Sequence, residues 1–135
     1  MKNQPLDGHC HCKHVSWQYL SLPDNITACN CTVCSRYGVL WAYGYLNDTV
    51  KVYGKTKCYT RGDKELSFHF CNTCGCVAYW LANYPRDNGQ FRIAVNMRLI
   101  DQPEKIKLIP IRHFEGLHSF KDLPTNKTKV KDLWF

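Results

Sequence analysis

The stretch ACNCTVCSRYG, residues 28–38, carries three cysteines, Cys29, Cys31 and Cys34, within six positions. Thiolates at this spacing converge on one soft metal cation, for which zinc is the usual choice. A structural zinc site has four protein ligands, whereas a catalytic zinc site keeps one position open. The stretch therefore predicts a zinc site with three ligands and raises the question of what takes the fourth position.

Two more cysteine clusters lie before and after this stretch. A C-x-C pair occurs near the start of the chain, and a C-x-x-C pair follows about 60 residues later, a loop whose closure costs entropy that a bound metal would offset. The two pairs together predict a second, four-ligand structural zinc site that joins distant segments, with ligands Cys10, Cys12, Cys71 and Cys74.

The nine cysteines of the chain do not favour a disulfide scaffold. Their number is odd, C-x-C partners are too close to bridge each other comfortably, and MKNQPLDGHC at the start has no apolar segment typical of an export signal. No run of 18 apolar residues is present, so no membrane helix is expected. We therefore expect a cytoplasmic protein, or a nuclear one if the source is eukaryotic.

The formal net charge of +7 would suit an acidic partner such as nucleic acid. Seven cysteine thiolates holding two zinc ions would lower that charge to +4, however, which is ordinary. Part of the excess, four lysines against two aspartates, lies in KDLPTNKTKVKDLWF (121–135), which is typical of a solvated tail. Neither nucleic acid nor a membrane is therefore expected as a partner.

The hydrophobic pattern predicts a mainly β fold. Segments rich in Val, Ile and aromatic residues are bounded by Gly, Pro, Asn and Asp, with turns at LNDT (46–49) and PRDNGQ (85–90). Helix is scarce, with one turn predicted at TVCSRYG (32–38). We predict a single domain over 1–135, with a core at about 6–120, a looser tail at about 121–135, and strands at 14–20, 39–46, 49–54, 65–70, 77–82 and 90–99.

Three motifs resemble the glutathione-dependent formaldehyde-activating enzyme family, whose domain centromere protein V shares. They are GHCHC (8–12), CNCTVCSRYG (29–38) and FCNTCGC (70–76), and LWAYGY and VNMRLID (95–101) also look like this family. The resemblance implies several small, coiled antiparallel sheets, the β-tent or Mss-four-like architecture, organised around zinc sites.

The resemblance also implies a chemistry. The family divides the matching cysteines into the same groups of four and three, which implies two zinc ions per chain, one structural and one in an open site at Cys29, Cys31 and Cys34. The founding activity joins formaldehyde to glutathione as S-hydroxymethylglutathione and is classed as a carbon–sulfur lyase. The expected partners are therefore a small thiol, such as glutathione, and a small aldehyde.

Two cysteines depart from the family pattern. Cys76 stands where members more often carry Ser or Thr, and Cys58 is additional. Either thiol can close the second zinc site if it reaches the metal. The alternative hypothesis is therefore a non-catalytic module with two structural zinc sites that contacts protein or nucleic acid.

Four residues are candidates for substrate binding. Arg36 and Arg98 carry guanidinium groups, which bind carboxylates through two parallel hydrogen bonds. Trp41 can form a pocket wall, and Asn96 can orient a polar group. Each has a structural alternative: a surface arginine, a core aromatic residue, or a turn cap.

Overall fold

The computed structural model describes residues 4–134, with side chains as far as Leu133. The predicted domain extends past both ends of this range, so residues 1–3 and 135 lie outside the description. Two α-helices occur in this part of the chain, α1 (Thr32–Tyr37) and α2 (Val130–Trp134), with 3₁₀ turns at Met97–Leu99 and Pro103–Lys105. The strands are β1 (Leu6–His9), β2 (Ser16–Tyr19), β3 (Ile26–Cys29), β4 (Trp41–Tyr45), β5 (Val50–Tyr53), β6 (Thr56–Thr60), β7 (Leu66–Cys71), β8 (Val77–Ala82), β9 (Arg92–Asn96), β10 (Ile111–Glu115) and β11 (Lys121–Asp122).

The strands form two sheets, which confirms the prediction of a mainly β fold. A three-stranded sheet has the order β1-β2-β5, and a larger one has the order β11-β10-β3-β4-β9-β8-β7-β6. Every pair of neighbouring strands among the described residues is antiparallel except β3 and β10, which run parallel. Because Phe114 pairs with Cys29 in that parallel ladder, the late strand β10 lies directly beside the cysteine triplet.

Helix α1 begins and ends where the sequence indicates. Cys31 is its N-cap residue, with a thiol that accepts a hydrogen bond from the backbone N–H of Cys34. Gly38 ends it in the left-handed conformation at φ 67°, and its N–H donates to the carbonyl of Cys34. The cap thus uses one of the predicted metal ligands, so helix formation fixes the spacing between Cys31 and Cys34.

Buried side chains form two clusters. The larger cluster joins the two sheets and includes Trp17, Ile26 and Met97. The smaller one surrounds the cysteine triplet and consists mostly of aromatic residues and thiols, among them Trp41 and Phe68. The triplet is therefore built into a packed aromatic wall rather than carried on a free loop.

The end of the chain differs in part from the predicted loose tail. Most residues of 121–129 are exposed, but Val130 at the start of α2 is only 1% exposed and belongs to the larger core cluster. Its backbone N–H donates to the carbonyl of Ile109, which anchors the segment. Neither helix within residues 4–134 is long and apolar enough to cross a membrane.

Candidate metal centres

The first centre joins the two cysteine pairs that are distant in sequence. Cys10 and Cys12 lie in the β1–β2 connection, and Cys71 and Cys74 lie where β7 turns into β8. Their four sulfurs lie within 4.8 Å of one another. The Sγ atoms of Cys12 and Cys71 are 3.4 Å apart, and those of Cys10 and Cys12 are 3.6 Å apart.

The surrounding backbone favours negative charge on these sulfurs. The N–H of Val15 donates to Cys10 Sγ at 3.3 Å, and the N–H of Thr73 donates to Cys71 Sγ at 3.3 Å. Backbone hydrogen bonds, from Cys76 foremost, lower the pKa of Cys74 to about 5. A backbone bond from His14 favours the Cys12 thiolate too, yet burial and the neighbouring thiols outweigh it and raise the pKa of Cys12 to about 12. Only a cation would therefore allow all four thiols to ionise together.

The donor set fits zinc. A tetrahedral site with Zn–S bonds of about 2.3 Å places its sulfurs about 3.8 Å apart, close to the spacing seen here. Four thiolates from two turns, each supported by backbone N–H groups, are typical of a closed structural site. His9 lies aside from this set because its ring pairs with Asp101 at 3.0 Å.

The second centre is the triplet itself. Cys29 ends β3, Cys31 caps α1 and Cys34 lies within α1. Their sulfurs lie within 4.8 Å of one another, with Cys31 and Cys34 buried and Cys29 partly exposed. The set again suits a soft divalent cation, with three protein ligands instead of four.

Hydrogen bonds make the three thiols unequal. The hydrogen bond with the Cys34 thiol is the main reason that the pKa of Cys29 falls to about 6. The backbone of Cys31 and the charge of Arg61 contribute to this fall, and burial opposes it. The hydrogen bond with Cys29 and burial raise the pKa of Cys34, while the indole Nε1–H of Trp41 donates to Cys34 Sγ at 3.3 Å and opposes that rise. The triplet thus already holds one thiolate near neutral pH.

Neither extra cysteine supplies a fourth ligand to the triplet. Among residues 4–134, the groups of His, Cys, Asp and Glu within 4.8 Å of one another at this site are the three cysteines alone. Cys58 is exposed on β6, opposite His69. Cys76 lies at the other centre, where burial, with its hydrogen bond to the Cys74 thiol, raises its pKa.

A cavity of about 300 Å³, here called the thiol pocket, opens onto the triplet. Trp41 and Trp80 form its aromatic wall with their rings 6.5 Å apart, and Phe68 lies 6.2 Å from Trp41. The rim is charged and carries both signs. Its lining comprises Cys29, Cys31, Val33, Cys34, Trp41, Tyr43, Arg61, Asp63, Glu65, Leu66, Phe68, Trp80, Arg92 and Phe114.

The four predicted substrate-binding residues are divided by the structure. Trp41 lines the thiol pocket, and Arg36 lines an adjoining cavity. Asn96 does not reach either cavity because its buried amide donates to the carbonyl of Val77 and accepts from the backbone N–H groups of Leu40 and Arg98. Asn96 is therefore a structural cap.

Arg98 is also placed away from both cavities. Its guanidinium donates to the carbonyls of Gly38 and Leu133, at 2.8 and 3.0 Å, and so ties the end of α1 to the C-terminal helix. The prediction that it binds substrate carboxylate is not supported by this position, because its donors are directed at backbone carbonyls.

Several pocket residues were not found from the sequence. Arg61, Asp63 and Glu65 come from the turn between β6 and β7, and Phe114 comes from β10. The run RGDKE (61–65) offered a signal, a charged turn directly before a strand that leads to a cysteine cluster. Nothing in the sequence signals Phe114, because its position depends on the parallel pairing of β10 with β3.

Gly116 completes the contact of this C-terminal segment with the triplet. A Cβ atom at this position would lie 2.8 Å from Cys31 Cβ and 3.0 Å from Cys29 Sγ, so only glycine fits without displacement. The backbone N–H of Gly116 donates to the side-chain carbonyl of Asn30 at 2.7 Å, which fixes the loop over the site.

Comparisons with known proteins agree with this architecture. A crystal structure of a Rhodobacter sphaeroides protein superposes with a TM-score of 0.60 at 23% identity, covering 78% of this chain and 98% of that one, which supports the fold alone. No curated protein matches significantly. The model of the glutathione-dependent formaldehyde-activating enzyme family matches residues 5–114, the range that holds both cysteine centres and every lining residue of the thiol pocket. The chain belongs to the glutathione-dependent formaldehyde-activating enzyme family.

Proposed function

We propose that this chain is a zinc-dependent carbon–sulfur lyase that binds a small thiol, glutathione or a close relative, and acts on its adduct with a small aldehyde such as formaldehyde. The observation that carries the proposal is the triplet: three cysteine sulfurs within 4.8 Å, without a fourth protein donor among residues 4–134, at a cavity of about 300 Å³. Such an open site is typical of catalytic rather than structural zinc. The proposed setting is the cytoplasm, where thiols stay reduced.

Cys29, Cys31 and Cys34 would hold one zinc ion in the triplet, and the four-cysteine centre would hold the other. A zinc ion in the triplet would favour the ionised form of an entering thiol. The indole of Trp41 donates a hydrogen bond to Cys34 Sγ, and the ring of Phe68 lies beside that indole. These residues fix where the ligand sulfur lies relative to the aldehyde, and such positioning supplies much of the rate.

The reaction balances without any oxidant or reductant. In the synthetic direction a C–S bond forms between the thiol sulfur and the aldehyde carbon, the thiol loses its proton, and the former carbonyl oxygen gains one. In the lyase direction the same C–S bond breaks, the hydroxyl oxygen loses its proton, and the thiol sulfur gains one. The carboxylates of Asp63 and Glu65 line the pocket and are suited to exchange these protons with solvent.

Cobalt substitution tests the proposal directly. Purified protein should bind two divalent metals per chain, and glutathione should change the thiolate-to-cobalt charge-transfer absorption. Cys31→Ser should abolish that change, whereas Cys76→Ser, a thiol at the other centre, should retain it. A spectrum of two four-thiolate sites that glutathione leaves unchanged would refute the proposal and favour the non-catalytic module.

A further inference from the structure

A second cavity, of about 380 Å³, adjoins the thiol pocket along the exposed side of α1. Arg61 and Val33 line both cavities, so the two lie next to each other. We call the second cavity the arginine pocket. Its lining comprises Thr32, Val33, Arg36, Tyr37, Tyr59 and Arg61.

The two cavities differ in charge. The thiol pocket has two guanidinium groups, from Arg61 and Arg92, balanced by the carboxylates of Asp63 and Glu65. The arginine pocket has the guanidinium groups of Arg61 and Arg36, and its lining includes no acidic residue. A group with pure negative charge is therefore favoured in the arginine pocket, whereas a zwitterionic group suits the mixed charges of the thiol pocket.

The two guanidinium groups are held but not neutralised. Arg61 donates to the hydroxyl of Thr32 at 3.2 Å, and Arg36 donates to the backbone carbonyl of the same residue at 2.8 Å. Within residues 4–134, neither group forms an ion pair with a carboxylate. Since each guanidinium has five N–H donors, most of them remain directed at solvent or a ligand.

Taking the proposed function as its basis, we infer that the arginine pocket holds the C-terminal carboxylate of a peptide thiol whose sulfur lies at the triplet. Glutathione has this chemistry, because its glycyl end is purely anionic and its γ-glutamyl end is zwitterionic. The glycyl carboxylate is thus assigned to Arg36 and Arg61, and the γ-glutamyl end to the mixed-charge rim at Asp63, Glu65 and Arg92. The pair Arg36 and Arg61 selects carboxylated peptide thiols over neutral thiols.

Calorimetry on the zinc-loaded full chain tests this assignment with matched ligands. Glutathione is compared with its glycyl amide, which lacks only the terminal charge, and with S-methylglutathione, which lacks the free thiol. The wild-type protein should bind the amide about 10-fold to 100-fold more weakly than glutathione, the loss expected for one charge-assisted hydrogen-bond pair. Arg36→Gln and Arg61→Gln should each weaken glutathione binding in that range and leave amide binding nearly unchanged.

Arg86→Gln is the matched control. It removes the same charge from an exposed arginine in the β8–β9 turn that lines neither cavity, and it should bind every ligand as the wild type does. Equal affinity of the wild type for glutathione and its amide would overturn the assignment. Weaker glutathione binding by Arg61→Gln but not by Arg36→Gln would also overturn it. Because the charge of Arg61 also lowers the pKa of Cys29, that result would point to the triplet rather than to the arginine pocket.

Failure of this inference can be told apart from failure of the proposed function. In one outcome, both arginine variants weaken the binding of S-methylglutathione as strongly as that of glutathione, while Cys31→Ser weakens the binding of neither ligand. That outcome would support the carboxylate site and contradict the role of the triplet in holding the thiol. If Cys31→Ser weakens glutathione while the arginine variants do not, the triplet keeps its role and the arginine pocket loses its assignment.

Discussion

Replacing Cys71 by serine should destabilise the domain far more than replacing Cys31. The sulfurs of Cys12 and Cys71 are 3.4 Å apart although the residues are 59 positions apart in the chain. Treated like a covalent cross-link, closure of a loop of this length stabilises the fold by roughly 4 kcal/mol. For a domain of this size 1 kcal/mol corresponds to roughly 3–5 °C in Tm, so Cys71→Ser should lower Tm by about 12–20 °C.

Cys31→Ser is the matched comparison, because it also replaces a ligand sulfur by oxygen, but in the triplet. The triplet joins residues that are already neighbours in β3 and α1, so its metal restrains little additional chain. Serine is a preferred N-cap residue and retains the hydrogen bond from the N–H of Cys34. Cys31→Ser should therefore lower Tm by less than about 5 °C.

Thermal melts followed by far-ultraviolet circular dichroism, in reducing buffer with zinc, measure both values. Metal analysis of each variant should accompany the melts, with one zinc ion lost in the Cys31 variant. Equal drops in Tm for the two variants would refute the division into a structural and an open centre. A Cys71 variant that melts like the wild type would refute the loop-closure reasoning itself.

Three further perturbations act around the triplet. Trp41→Phe removes the indole donor to Cys34 Sγ and should weaken zinc binding at the triplet roughly 10-fold to 100-fold. Competition with a chromophoric chelator measures this affinity, and an unchanged affinity would contradict the orienting role of Trp41. Gly116→Ala forces a Cβ to within 2.8 Å of Cys31 Cβ, so metal analysis should show loss of the second zinc alone; two retained zinc ions would speak against this contact. Glu115 accepts backbone hydrogen bonds, chiefly from Ser119, and these lower its pKa from 4.5 to about 2. The ionised carboxylate therefore stabilises the loop fully above pH 4.5, and this stabilisation is lost as the pH falls towards 2. Glu115→Gln should therefore speed amide hydrogen exchange at 117–119 at pH 6, with a smaller ratio to wild type near pH 3; a ratio independent of pH would rule out the carboxylate as the cause.

The sequence was informative where hydrophobic segments are long. All six predicted strands are present, within a few residues of the predicted bounds. Five of the strands described above escaped prediction, among them β10, which has five residues and pairs with β3. β1 and β3 have four residues each and β11 has two, while β6 is an edge strand with residues 57–60 exposed. An edge strand needs no apolar face, so its sequence carries little of the alternation that reveals a half-buried strand.

The candidate site shows the same limit. The metal ligands were predictable because the spacing of a C-x-C or C-x-x-C pair is a local property of one turn. Trp41, a few residues past Cys34, was also within reach of local reasoning. Arg61 and Phe114 were not, because they reach the pocket through strand pairings set by the whole sheet. Asn96 occupies the position of a cap before a 3₁₀ turn, which is the structural alternative that the sequence offered for it.

The parallel pair of β3 and β10 has a consequence for biosynthesis. The four-cysteine centre has all its ligands once residue 74 has left the ribosome, whereas the triplet gains Phe114 and Gly116 only some forty residues later. During that interval the three thiols of the triplet, which are all synthesised by residue 34, lack this cover on the nascent chain. The covering of the triplet is thus ordered by translation, and the growing polypeptide leaves these thiols most open to oxidation or mismetallation just before its last strands arrive.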